Sequence, residues 1–132
     1  MHKSAMSTGK LFFDTYWKSN FRTILDIGAL DVNGSLRSIK PDTAQYIGVD
    51  IASGIGVDTV IETSNNIPYN DCEFDIIIST SCFEHDEMFW NTFLEMCRLV
   101  NSGGYIYINV PMNGWFHRYP TDCWRFLSLI HI

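Results

Sequence analysis

An α/β fold, a three-layer sandwich around a central and mainly parallel sheet, is predicted by three features of this sequence. Residues 24–34, Ile-Leu-Asp-Ile-Gly-Ala-Leu-Asp-Val-Asn-Gly, read as a buried strand running into a glycine-bearing turn. A second apolar run, Tyr46-Ile47-Gly48-Val49-Asp50, ends in a carboxylate about twenty residues past that glycine, the place from which an acid reaches ribose hydroxyls in nucleoside-binding folds. Further apolar runs alternate with helical patterns through short connections, as right-handed parallel crossover units require.

The elements follow in order. Leu11, Phe12, Tyr16 and Trp17 recur at helical spacing, so residues 8–20 are predicted to form an amphipathic helix over the sheet, with Ser7 or Thr8 as N-cap and the aromatics in the core. Thr23 to Ile27 is a short, nearly continuous apolar run, the pattern of a strand covered on both faces. A short helix is expected from Gly34 through Ile39, stopping near Pro41 because the residue before a proline is pushed out of helical geometry. Gln45 to Val49 is the second strand, Val57 to Ile61 the third, and Phe74 to Ser79, centred on Ile76-Ile77-Ile78, the fourth.

Glu87 to Val100 puts Phe89, Phe93, Met96 and Val100 on one helical face, with Asp86 as N-cap and Gly103-Gly104 as the stop. Tyr105 to Val110 is the fifth strand, ended by Pro111. The remainder, including Phe116-His117-Arg118-Tyr119-Pro120-Thr121-Asp122-Cys123-Trp124-Arg125-Phe126, supplies no closing element, so the Rossmann-like sandwich is expected to be incomplete at its C-terminal end and the chain truncated. The fifth strand, or whichever strand is left at that side, is then an exposed edge.

Bulk properties narrow the function. At 132 residues the chain holds one modest core. No run approaches the roughly twenty apolar residues of a membrane span, and Met1 to Lys10 lacks a secretory signal's apolar stretch, so a cytoplasmic location away from membranes is expected. The net charge is −6, and between Pro41 and Cys97 eleven acids occur without a single Lys or Arg. Such a stretch repels a phosphate backbone, so no nucleic-acid partner is expected, and it favours a phosphate-free cofactor. Cys72, Cys82, Cys97 and Cys123 show no paired spacing; they read as buried thiols, and no metal site is assigned because Cys82 and His85 lack a second pair of ligands nearby.

Ligands of open parallel sheets lie beyond the carboxyl ends of the strands, so the candidate residues follow each strand. Gly28 lets the backbone approach a ligand, Asp50 can accept two ribose hydroxyls, and Glu62 with Thr63 can face an adenine edge. Asp26 is expected to hold the glycine turn through backbone amides while remaining able to meet a ligand amine. A nicotinamide dinucleotide, as in an NAD(P)-dependent oxidoreductase, needs Gly-x-Gly-x-x-Gly under its pyrophosphate. Here the second and third glycine positions are Leu30 and Asn33, which argues against that cofactor.

Taken with their order, Leu25-Asp26-Ile27-Gly28, Tyr46-Ile47-Gly48-Val49-Asp50, Ile67-Pro68-Tyr69, Glu73-Phe74-Asp75-Ile76-Ile77-Ile78-Ser79, Phe83-Glu84-His85, Glu95-Met96-Cys97-Arg98-Leu99-Val100 and Asn101-Ser102-Gly103-Gly104-Tyr105-Ile106 resemble class I S-adenosylmethionine-dependent methyltransferases of the type 11-like branch. The resemblance implies one domain over residues 1–132, with a cofactor-binding part at 22–111 and a partial acceptor-side segment at 112–132. It implies S-adenosyl-L-methionine as cofactor and methyl transfer to a small-molecule or glycan acceptor. Asp26, Gly28, Ala29 and Leu30 would then line the methionine portion, with Leu30 in place of the family's usual second glycine, where it either narrows the channel or turns aside. Asp50 would bind the ribose, Ile51 lie against adenine, Glu62 and Thr63 approach the adenine amine, and Thr80 sit beneath the sulfonium. His85 and His117 are the candidate general bases for a hydroxyl acceptor. A non-catalytic methyltransferase-like binding domain is the alternative in which the same residues bind without turnover.

Overall fold

The computed structural model describes residues 3–118 and 121–127. Tyr119, Pro120 and the last five residues of the predicted acceptor-side segment therefore lie outside the described residues. The elements are α1 (Lys3–Tyr16), β1 (Thr23–Ile27), β2 (Gln45–Asp50), β3 (Thr59–Val60), β4 (Phe74–Thr80), α2 (Phe89–Leu99) and β5 (Val100–Asn109), with 3-10 turns at Leu36–Ile39 and Phe83–His85. All strand pairs are parallel and their order is β3-β2-β1-β4-β5, so the chain reverses its direction of travel between β1 and β4. Helices packed on both faces make this the Rossmann-like three-layer sandwich, with an incomplete sheet. β5 stands at its edge.

Strand alternation builds two cores. Leu25, Ile27 and Ile77 face α2 and pack with Met96 and Leu99. Ile24, Ile76 and Ile78 point the other way and pack with Phe12, Phe13 and Phe21. The three consecutive isoleucines of β4 are thus all fully buried, each contributing roughly 1.5–3 kcal/mol relative to exposure. That two-sided burial is why the run carries no polar alternation.

Both helices depart from expectation at their ends. α1 begins well before Ser7 and Thr8 and stops at Tyr16; Thr8 is no cap, and its hydroxyl donates back to the carbonyls of Ser4 and Ala5. Its buried stripe is Ala5, Gly9, Phe12 and Phe13, while Leu11 and Tyr16 are exposed. Gly9 decides the rotation: a Cβ there would stand 2.4 Å from Leu36 Cδ2, so this face lies closest to the 3-10 turn. α2 starts at Phe89 and buries Thr92, Met96 and Leu99, leaving Phe93 41% exposed. Asp86 is not its N-cap; it closes the preceding 3-10 turn and accepts from the Met88 amide at 2.9 Å.

The helix also does not stop at Gly103-Gly104, because β5 already begins at Val100. Phe74 pairs with Val100 and Ile76 with Tyr105, so β5 carries extra residues at a register shift. Gly103 takes φ +82°, and a Cβ on Gly104 would lie 2.5 Å from the Asp75 carbonyl; the glycines accommodate the irregularity instead of ending a helix. The cysteines depart too: Cys72, Cys97 and Cys123 are exposed. Among the described residues no helix is long and apolar enough to cross a membrane.

Asp75 fastens the entry edge of the sheet. It accepts from the amides of Arg22 (2.6 Å) and Thr23 (3.0 Å) and from Asn101 Nδ2 (2.7 Å). Partial burial raises its pKa, but the hydrogen bonds from Arg22, Asn101 and Thr23 outweigh this and hold the carboxyl below its ordinary 3.8. A depressed native pKa gives stability that is present above about pH 4 and lost as the pH falls below it. Asp75→Asn is expected to cost about 1–3 kcal/mol at pH 7, by leaving one amide poorly matched. It should also flatten the acid limb of stability against pH, measured by urea unfolding between pH 3 and 7.

Candidate functional site

At the β1–β4 switch point the chain leaves β1 through Gly28, whose φ is +80°. The turn's amides are spoken for: Gly28 and Ala29 both donate to the Val49 carbonyl, at 3.0 and 3.1 Å, and Leu30 donates to Asp50 Oδ2 at 3.1 Å. The expectation that Asp26 holds these amides is therefore corrected. Asp26 belongs to the strand, its side chain is turned to the α1 face, and the turn is held instead by the neighbouring strand β2.

Asp26 has a different partner. It is 3% exposed, and its Oδ2 accepts from the Tyr46 hydroxyl at 2.6 Å. Oδ1 is buried with no hydrogen-bond partner. Burial is the main cause that pushes its pKa up to about 6, tempered by the Tyr46 hydrogen bond and the charge of Arg37 and reinforced by Asp50. Burial, then the Asp26 charge, pushes the Tyr46 phenol well above its ordinary range, so Tyr46 stays a donor. The Arg37 guanidinium lies 4.7 Å from the Tyr46 ring centroid and binds the Gly56 carbonyl (3.0 Å) and Asp58. Asp58 in turn accepts from the Gly48 amide at 2.7 Å.

Asp50 is fixed from both sides. One oxygen takes the Leu30 amide and the other the Ala52 amide at 3.0 Å. Each oxygen keeps a lone-pair direction for a further donor, so the acid remains able to take hydroxyls. Ile51 follows with 62% of its surface exposed, a free apolar face beside that carboxylate. The Ile61 amide donates to the Asp50 carbonyl at 2.9 Å, which brings exposed Glu62 and Thr63 to the same rim. Thr63 is partly occupied locally, bonding Asn65 Oδ1 at 3.0 Å.

Leu30 turns toward the loop after β2: its Cδ1 stands 2.4 Å from where a Cβ on Gly54 would be, so the bulky side chain rests on a residue that has none. Across the switch point, Thr80 is buried at the end of β4 and Ser81 adopts φ +53°. Cys82 then packs over Gly28, with Sγ 2.4 Å from the position of a Cβ there. Burial pushes the Cys82 thiol up to about 12, so it is a neutral wall of the turn.

The two candidate bases come together. The rings of His85 and His117 lie 5.0 Å apart, edge to face. The tail folds over the Phe83–His85 turn: Cys123 N and Trp124 N donate to the Glu84 carbonyl at 2.7 and 3.2 Å, and Thr121 Oγ1 to the His85 carbonyl at 3.0 Å. Arg125 grips Asp122, whose side chain is fully covered, at 2.8 Å for its Nη2, and Asp122 accepts from the His117 amide at 2.7 Å. The Arg125 guanidinium holds the Asp122 carboxyl well below the usual carboxylate range. Phe126 packs against Phe83 and Phe89. Glu84, 2% exposed and with its pKa raised by burial, joins the two histidines.

Several functional neighbours do not stand out in the sequence. Tyr46 and Cys82 are visible there only as members of a strand and a scattered thiol set, and Arg37 as a charge on a short helix. For Tyr46 a usable signal exists, since a phenol two positions before Gly48 in β2 must share a face with alternate residues of β1.

The family described as "Methyltransferase domain" matches residues 25–108, from β1 to β5. No curated protein matches the sequence. Among solved structures, a protein of Methanococcus maripaludis assigned as an S-adenosyl-L-methionine-dependent methyltransferase is similar at 20% identity and a TM-score of 0.63, over 78% of this chain and 53% of that one. The YcgJ protein of Bacillus subtilis is similar at 22% identity and a TM-score of 0.62, over 83% of this chain and 52% of its own. The [4+2]-cyclase SpnF is similar at 17% identity and a TM-score of 0.71, over 95% of this chain and 54% of its own. At these identities the likeness is one of fold, and the chain spans about half the length of the solved structures it matches.

Proposed function

Because the chain belongs to the methyltransferase-domain family and has its doubly wound α/β fold, we propose that it binds S-adenosyl-L-methionine across the carboxyl ends of β1 to β4 and methylates a small-molecule or glycan acceptor. The observation that carries the reading is the pair of acids flanking the Gly28 turn. Asp26 offers a buried carboxylate oxygen with no partner, suited to an ammonium group. Asp50 offers a carboxylate preset by two amides, suited to ribose hydroxyls. Ile51 gives adenine an apolar face, Glu62 and Thr63 stand on the rim for its amine, and Gly28, Ala29, Leu30 and Thr80 wall the methionine side.

When bound, the cofactor supplies an electrophilic methyl carbon, so the protein's task is alignment and exclusion of water. His85 donates Nδ1–H to the Thr121 carbonyl, which leaves Nε2 as its basic nitrogen. For a hydroxyl acceptor, that nitrogen or its counterpart on His117 can take the proton. The acidic stretch from Pro41 to Cys97 argues for an acceptor other than nucleic acid.

Calorimetric titration with S-adenosyl-L-methionine and its demethylated product tests the reading; absence of heat with both, on folded protein, would sink it. Asp50→Ala is expected to weaken cofactor affinity by at least about tenfold, the loss of charge-assisted hydrogen bonds worth roughly 1.5–3 kcal/mol. A second reading, binding without turnover, starts from Leu30 standing in place of the family's glycine, but its side chain is turned aside onto Gly54, which weakens that reading. Cofactor binding with no methyl transfer across a panel of small-molecule and glycan hydroxyls would select it. Binding of a nicotinamide dinucleotide in place of S-adenosyl-L-methionine would overturn both.

A further inference from the structure

We propose that Glu84, His85 and His117 form a site for one divalent first-row transition ion. Their ligand atoms lie within 4.8 Å of one another, and His85 Nε2 is 3.9 Å from Glu84 Oε1. Ligands of a tetrahedral zinc-type ion stand about 3.3 Å apart, given bonds of about 2.0–2.1 Å. The three groups therefore need to close by roughly an ångström or two at most, and His117, with 53% of its side chain exposed, has room to do so.

Three independent features make this a built site. Glu84 is 2% exposed, yet its Oε2 is buried without a hydrogen-bond partner. The nearby cation does not answer it: Arg125 is committed to Asp122 and to the carbonyls of Trp124 (2.8 Å) and Trp115 (3.1 Å). Both imidazoles are also oriented by backbone carbonyls, His85 Nδ1 by Thr121 and His117 Nδ1 by Trp115 at 3.1 Å. A donated Nδ1–H leaves Nε2 as the lone-pair nitrogen, which is how metal-binding histidines are held by their outer partners.

Two imidazoles and one carboxylate suit zinc, cobalt or manganese and disfavour magnesium or calcium, which take oxygen ligands. Such an ion would tie the tail to the end of β4 and keep open positions toward the acceptor side. An acceptor hydroxyl bound there would have its pKa lowered by the ion and lose its proton to solvent, with both imidazoles serving as ligands and not as bases; its oxygen would then bond to the methyl carbon as the carbon–sulfur bond breaks and the demethylated cofactor leaves. This last step rests on the methyl-transfer reading, whereas ion binding does not.

The test is titration of the purified, metal-stripped full chain with Co²⁺, followed by visible absorption and equilibrium dialysis. One equivalent is expected, with bands of nitrogen and oxygen coordination, displaced by Zn²⁺ and retained in a large excess of Mg²⁺. His117→Asn, at an exposed position, is expected to fold normally by circular dichroism and to lose at least about tenfold in Co²⁺ affinity. Glu84→Gln should lose affinity likewise, and if it fails to fold His117→Asn still decides the matter. The proposal is overturned by no binding, by affinity unchanged in His117→Asn, by displacement with equimolar Mg²⁺, or by thiolate charge-transfer bands placing the ion on the exposed cysteines. Cofactor calorimetry, run separately with and without Zn²⁺, reports on methyl-donor binding whatever the ion does.

Discussion

Asp26→Asn is expected to stabilise the folded chain at pH 7 while weakening its hold on S-adenosyl-L-methionine. The carboxyl of Asp26 has an ordinary pKa of 3.8 and is raised to about 6 in the fold, chiefly by burial. Between those values the folded state keeps a proton that the unfolded state has released. Stability from this group is therefore greatest below about pH 4 and is lost as the pH rises through 6. At pH 7 the buried charge costs about 3 kcal/mol, since each tenfold change in proton affinity is worth about 1.4 kcal/mol. Asparagine keeps the shape and an acceptor for the Tyr46 hydroxyl but carries no charge. Urea unfolding should show a gain of about 1–3 kcal/mol at pH 7 and a flattened slope between pH 4 and 6.

The cofactor measurement should move the other way. An ammonium placed at Asp26 Oδ1 loses a charge-assisted partner worth roughly 1.5–3 kcal/mol, so affinity should fall by about tenfold or more. A side chain whose removal raises stability and lowers binding is being kept for its ligand. If Asp26→Asn instead destabilises at pH 7 and leaves affinity unchanged, the acid is a structural partner of Tyr46 and the ammonium is held elsewhere.

The sheet was legible because two-sided burial writes continuous apolar runs, as in Thr23–Ile27 and Ile76–Ile78. Helix ends were not, because they are set by contacts far along the chain. Gly9 against Leu36 rotated α1 away from the stripe its large side chains suggest, and the Asp75–Gly104 approach began β5 before the glycines that looked like a stop. The acids flanking Gly28 were each visible, yet Asp26's partner was not. Ile24 pairs with Tyr46 and Asp26 with Gly48, so the phenol reaches Asp26 diagonally on the same face, a neighbour that only register reveals. His85 and His117 each qualify separately as bases; their meeting depends on Thr121, 36 residues beyond His85, folding back onto it. Local patterns carry no information about such a return.

Gly28→Ala is expected to cost about 2–5 kcal/mol, from two sources that a double-mutant cycle can part. A Cβ at φ +80° is strained by about 1–2 kcal/mol wherever it points. It would also stand 2.4 Å from Cys82 Sγ and 2.6 Å from Cys82 Cβ, an overlap worth about 1–3 kcal/mol in a packed site. Cys82→Gly removes the second source only. The cycle in urea should therefore show a favourable coupling of about 1–3 kcal/mol, with the strain left in the double variant; additivity within about 0.5 kcal/mol would mean the overlap relaxes at no cost. Cofactor titration of the double variant then adds what stability cannot. If the turn is only a steric fit between β1 and β4, relieving the overlap restores affinity together with stability. If Gly28 is there so that a ligand can lie against bare backbone, affinity stays low in the refolded double variant, because the methyl group occupies the ligand's space and not only that of Cys82.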